Sequence, residues 1–96
     1  MAIYTYILKC SDGSFYTGHT EDLERRLAQH QSGFFKGYTF KRRPVELMWS
    51  DHFSTRIEAL EAERRIKGWT KAKKQALIDG DWELLSVLAR NRTERR

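Results

Sequence analysis

The stretch DGSFYTGHTEDLERRLAQH, Asp12 to His30, places a turn, a short extended segment and the start of a helix in direct succession. Asp and Gly in CSDGS build the turn, and the preceding Ile3 to Lys9 is rich in the Ile, Tyr, Thr and Leu of a strand. FYTGH resumes the extended pattern, so the two runs read as a β-hairpin. Thr20 then stands as an N-cap, with Glu21 and Asp22 favourable in a first turn where the helix dipole is positive. Gly33 sits where a helix stops, which predicts helix one over Glu21 to Ser32.

Working outward, GFFKGYTFKRRP holds two glycines, four aromatics, four cations and the only proline, the composition of a loop with a binding surface. Val45 to Phe53 reads as a third strand. Thr55 and Glu58 have capping-box spacing and open a second helix that Gly68 ends. Thr70 and Gly80 bracket a third helix, and Asp81 caps a fourth in which Trp82, Leu85 and Leu88 recur at helical spacing. The terminal RNRTERR has nothing to bury and is expected to fray. The order β-β-α-β-α-α-α predicts an α+β fold, a three-stranded antiparallel sheet flanked by helices.

Ninety-six residues suit one compact domain and one site. Eighteen Lys and Arg against thirteen Asp and Glu give a net charge of +5, a footprint suited to nucleic acid or another polyanion. The lone Cys10 excludes an intrachain disulfide, and no apolar run approaches the roughly 20 residues of a membrane span. MAIYTYILKC lacks the basic, apolar and small-residue order of a signal peptide, so a soluble cytoplasmic protein without membrane contact is expected. Cys10, His19, His30 and His52 lack the paired spacing of a zinc site, and Cys10 has no identifiable partner for thiol hydrolysis.

Several residues stand where packing alone would not put them. Leu23, Leu27 and His30 share one stripe of helix one, and Arg26 falls within it, whereas Arg25 points elsewhere as a solvated cation. Either the Arg26 stem covers the core edge while its head reaches water, or the guanidinium has a task. On helix two, Glu63 falls between Ala59 and Ile66 on the narrow apolar face, where a carboxylate needs a cation, a metal or water. Tyr4 and Tyr6 lie on one face of strand one by alternation. Gly18, two residues after Tyr16, lets a backbone or ligand approach closely. Strand two thus delivers Tyr16 and Gly18 directly into the helix that carries Arg26 and His30.

With these residues in view, residues 3 to 79 resemble a GIY-YIG nuclease domain of the small stand-alone bacterial type, the URI kind. Tyr16-Thr17-Gly18 matches the second half-motif, and Arg26 falls ten residues after the tyrosine, as in the family pattern. Tyr4-Thr5-Tyr6 stands where Gly-Ile-Tyr is typical, so the tyrosine is kept as Tyr6 and the glycine is replaced. EALEAERRIKGWTKAKK resembles the family's later helix, with the metal-binding glutamate at Glu63. His30 matches a histidine of some branches, and His19 stands where others have lysine. The nuclease-like unit would span residues 1–80, and residues 81–96 would form a C-terminal helix and basic tail.

The resemblance implies phosphodiester hydrolysis, with DNA favoured and RNA possible as substrate. Such a reaction needs an activated water, neutralised phosphoryl oxygens and help for the departing oxygen. Glu63 would hold one divalent cation, Mg²⁺ or Mn²⁺, completed by water and phosphate oxygens. Arg26 would clamp the phosphate with its planar donor fork. Tyr16 would orient or deprotonate the water, with Tyr6 beside it in one hydrogen-bond network; a phenol titrating near about 10 needs a neighbouring cation for that task. His30 would orient the phosphate or shuttle a proton, or serve only as a structural hydrogen-bonder.

Lys36, Lys41, Arg42 and Arg43 among their aromatics, and Lys67 and Lys71 within the acid-free run from Arg64 to Lys74, are the candidate nucleic-acid contacts. Monomer or weak dimer is the expected state. Two other readings stay open: a binding module of the same fold with little or no catalysis, and an interaction protein that docks through the Trp82 helix.

Overall fold

The computed structural model describes residues 2–94. Its strands are β1 (Ile3–Lys9), β2 (Phe15–Thr20) and β3 (Glu46–Phe53), and its helices α1 (Leu23–Ser32), α2 (Arg56–Lys67), α3 (Lys71–Asp79) and α4 (Trp82–Glu94). All pairing is antiparallel, in the order β2-β1-β3, so β1 is central and β2 is an edge strand. The α+β order read from the sequence is the observed one, with one added 3-10 turn at Phe40–Arg42 inside the long loop.

Because side chains alternate across a strand, β1 feeds two cores at once. Tyr6, Leu8 and Cys10 pack with Val45, and Leu23 and Leu27 of α1 close over them together with Leu47. On the opposite face, Ile7 packs with Ile66 of α2 and Leu77 of α3, flanked by Trp49 of β3, Trp69 of the α2–α3 turn and Leu85 of α4. A bulge explains how β3 serves both cores. Ile7 faces Trp49 but Leu8 faces Leu47, so Met48 is the extra residue and its two neighbours turn to opposite sides of the sheet.

Helix starts follow local hydrogen bonding. The predicted capping box of α2 is present in full: Thr55 Oγ1 accepts from the Glu58 N–H, and the Glu58 carboxylate accepts from the Thr55 N–H, both at 3.2 Å. Asp81 caps α4 by accepting from Leu84 N–H at 3.0 Å. The start of α1 differs from expectation. Thr20 still pairs with Tyr4 as the last residue of β2, and the cap passes to Asp22, whose Oδ1 accepts from Arg25 N–H at 3.1 Å. Gly33 ends α1 in the left-handed region at φ 79°, which an L side chain resists. The segment expected to fray is helical through Glu94, because α4 runs on from its Leu85 anchor; Arg95 and Arg96 lie outside the described residues.

Candidate active site

Strand β2 divides the polar groups of the site between two faces. Gly18 lies opposite Tyr6, so Gly18 and Tyr16 share the α1 face, while His19, opposite Thr5, belongs to the α2 face. Thr5 marks that second face by donating its hydroxyl to the Ala59 carbonyl of α2 at 2.7 Å. Gly18 is required by packing: a Cβ there would stand 2.5 Å from the Tyr6 hydroxyl oxygen. The close approach anticipated at this glycine is therefore made by a tyrosine of the protein itself.

On the α1 face Tyr6, His30 and Thr39 are buried. Tyr6 is 1% exposed, and its hydroxyl lies 3.0 Å from His30 Nε2; His30 Nδ1 lies 2.9 Å from Thr39 Oγ1. Burial, with the nearby Tyr16 adding to it, pushes the Tyr6 phenol up to about 12 against the pull of Arg26. Burial and the Arg26 charge push His30 down to about 4. Moving a proton from Tyr6 to His30 at rest would cost on the order of 10 kcal/mol, so both groups stay neutral across their hydrogen bond. Tyr6 is hydrogen-bonded to His30, and its ring lies 6.5 Å from that of Tyr16 between centres. Tyr16 sits edge-on to His30 at 5.2 Å between ring centres and stacks on Tyr38 at 6.1 Å.

Arg26 is the partition of the site. A cleft of about 290 Å³ on one side is lined by Tyr16, Arg26, His30, Phe35, Tyr38 and Thr39. A second, of about 350 Å³, includes His19, Arg25, Arg26, Gln29 and Arg56. The Arg26 guanidinium stands 5.1 Å from the centre of the Phe35 ring and donates to the His19 carbonyl at 3.4 Å. Its head therefore has partners within the protein. Arg25, assigned to solvent by its position on the helix, lines the second cleft.

Glu63 lies on the α2 face, at the open edge of β2. It is 8% exposed; its Oε1 meets His19 Nδ1 at 2.5 Å and its Oε2 meets Lys67 Nζ at 2.7 Å. Burial alone would raise the carboxyl, but hydrogen bonds from Lys67 and His19 outweigh it and hold the group below the usual carboxylate range. His19 is the link across the edge: its ring binds Glu63 and its carbonyl accepts from Arg26. Alternation from Gly18 was the available signal for that role. Thr39 had none, being a loop residue whose partner lies nine positions away.

The loop cations are largely engaged within the protein. Arg42 pairs with Asp12 at 3.0 Å and lies 3.9 Å from the Tyr38 ring centre. Arg43 and Lys36 flank Phe40 at 4.7 and 4.4 Å, Lys71 approaches Phe15 at 5.7 Å, and Lys41 stands exposed. Tyr4, standing for the motif glycine, is accommodated because it lines an open groove with Leu23, Leu27 and Leu47. No described helix is long and apolar enough to cross a membrane.

Comparison with known proteins agrees with this architecture. Residues 2–76 match the family model of the GIY-YIG catalytic domain. A UPF0213 protein of Bacillus pumilus is 50% identical over 76 residues, covering 79% of this chain and 78% of that protein. Another, from Staphylococcus saprophyticus, is 47% identical over 75 residues, covering 78% of this chain and 92% of its own. The solution NMR structure of an E. faecalis protein superposes with a TM-score of 0.58 at 45% identity, over 85% of this chain and 88% of that one. A UPF0213 protein from Bacillus halodurans gives 0.54 at 40% identity, over 82% and 84%. With the tyrosine pair, the arginine and the edge glutamate all inside the matched segment, the chain belongs to the GIY-YIG family, a nuclease superfamily.

Proposed function

We propose that the protein is a metal-dependent endonuclease that hydrolyses phosphodiesters of nucleic acid, DNA before RNA, with structural or weak sequence preference. The observation that carries the reading is Arg26, which joins the aromatic cleft of Tyr16 to the edge carboxylate of Glu63 through His19. A phosphate held by the guanidinium would lie beside the exposed side of Tyr16, which orients the attacking water. Tyr6, held by His30, supports the ring packing beneath. The basic segments, Lys41 and Lys67 to Lys71 foremost, meet flanking phosphates without reading bases.

The donor set bears on the cation. Among the described residues no three His, Cys, Asp or Glu cluster as a cage. Mg²⁺ takes one or two carboxylates and fills its shell with water and phosphate oxygen, and Glu63 offers one such carboxylate. Lys67, half exposed on a flexible stem, occupies one of its oxygens and can swing away. The residues therefore fit a single ion held by Glu63, Mg²⁺ or Mn²⁺, which would supply charge neutralisation on the phosphate.

The test incubates the purified protein with nicked, branched, single-stranded and duplex substrates and Mg²⁺ or Mn²⁺. Glu63→Ala, Arg26→Ala and Tyr16→Phe should each lower cleavage by about 100-fold or more, the scale of losing one charge-stabilising contact. Cleavage unchanged in all three would dispose of the site. One observation favours the binding-module reading: Glu63 already has a side-chain partner on each oxygen, His19 Nδ1 and Lys67 Nζ. Binding without cleavage on every substrate would select it.

A further inference from the structure

The hydroxyl of Thr39 lies at the end of a chain of buried hydrogen bonds. Tyr6 is 1% exposed, so its O–H needs an acceptor inside the protein. Among the described residues that acceptor is His30 Nε2, at 3.0 Å; neighbouring Arg26 carries donors only. Nε2 must then present its lone pair to the phenol, and the single proton of the neutral ring resides on Nδ1. Nδ1–H in turn faces Thr39 Oγ1 at 2.9 Å, and Thr39 is itself 1% exposed. The opposite tautomer would point Nε2–H at the phenol and strand the Tyr6 proton in a buried place.

We propose that Thr39 is a positioning residue whose hydroxyl oxygen accepts from the Nδ1–H that the buried Tyr6 proton requires of His30, and so holds the Tyr6 hydroxyl in one direction. The phenol proton turns to His30, and the lone pairs of its oxygen remain for the Arg26 side of the site. Thr39 also ties this setting to the 33–43 loop. That loop is held down independently by Tyr38 stacked on Tyr16, by Arg42 on Asp12 and by the Arg42 carbonyl, which accepts from Ser11 N–H at 2.9 Å. With the loop seated, the histidine has one tautomer; with Thr39 withdrawn, nothing accepts from Nδ1.

The consequence for turnover rests on the nuclease reading, but the tautomer does not, so the two are measured separately. Ring ¹⁵N shifts of His30, assigned by their loss in His30→Gln, should show a protonated Nδ1 and an unprotonated Nε2 in the wild-type protein at neutral pH. Thr39→Ser should keep that pattern. Thr39→Val, with similar shape and no acceptor, should lose it in favour of Nε2–H or a mixture, and Thr39→Ala provides the same comparison if the valine variant does not fold. Where cleavage is measurable, Thr39→Val should lower kcat about tenfold with KM within about twofold, and Thr39→Ser should restore it. A wild-type ring protonated on Nε2, or an Nδ1–H ring that persists in both Thr39→Val and Thr39→Ala, overturns the assignment. A wild-type protein that cleaves nothing but shows the Nδ1–H ring overturns the nuclease reading alone.

Discussion

The two faces of β2 solve the problem of polar groups near a core in opposite ways. On the α1 face, Tyr6, His30 and Thr39 are sealed in, and burial keeps them neutral and mutually hydrogen-bonded. On the α2 face, Glu63 remains a carboxylate because His19 and Lys67 stand on its two oxygens at the rim of the sheet. Desolvation dominates the first set and is overcome by paired charge in the second. Under the proposed function the difference divides the tasks: the neutral network would hold a ring in place and the edge carboxylate would hold the ion.

Acid titration should break this contrast most strongly. His30 is held near 4 in the folded protein against about 6.5 unfolded, so between those values the unfolded chain binds more protons. Stability therefore falls as pH drops from about 6.5 to about 4, by at most about 3 kcal/mol, and the loss levels off below. Denaturant unfolding of wild type and His30→Gln across that range isolates the contribution. A constant difference between the two would mean a solvated ring.

A smaller effect is expected from Gly18→Ala, which drives a methyl group against the Tyr6 hydroxyl. Overpacking of this kind costs about 1–3 kcal/mol, and Gly37→Ala, at a position with nothing within 4 Å, should stay within about 0.5 kcal/mol. Equal melting temperatures for the two variants would show that Tyr6 is not pinned. The smallest change at the site belongs to the edge. Lys67→Ala removes a half-exposed partner from a buried carboxylate that keeps His19, and should cost about 1 kcal/mol. If Glu63 seats the ion, the same variant should bind Mn²⁺ a few-fold more tightly by calorimetric titration, and an unchanged affinity would show that Lys67 does not compete.

Much of this molecule was legible along the chain because its signals are local. The Asp-Gly turn, the Thr55–Glu58 box and the glycines after α1 and α3 act within a few residues, and each set the element boundary where it was expected. Thr20 misled because β pairing with Tyr4, a partner sixteen residues away, outweighed its capping preference. Helical spacing also identified Arg26 and Glu63 as residues whose polar heads packing alone would not place.

What the amino-acid order determined by itself was therefore the element order, the hairpin and the presence of an arginine, a histidine and a carboxylate on otherwise apolar stripes. Tertiary structure alone decided which groups meet. It put Tyr6 on His30, Thr39 behind His30, and His19 between Glu63 and Arg26. The physical reason is range: periodicity states which face of an element a side chain takes, but an acceptor for a buried proton or a counter-ion for a buried charge comes from whichever segment the fold brings within about 3 Å.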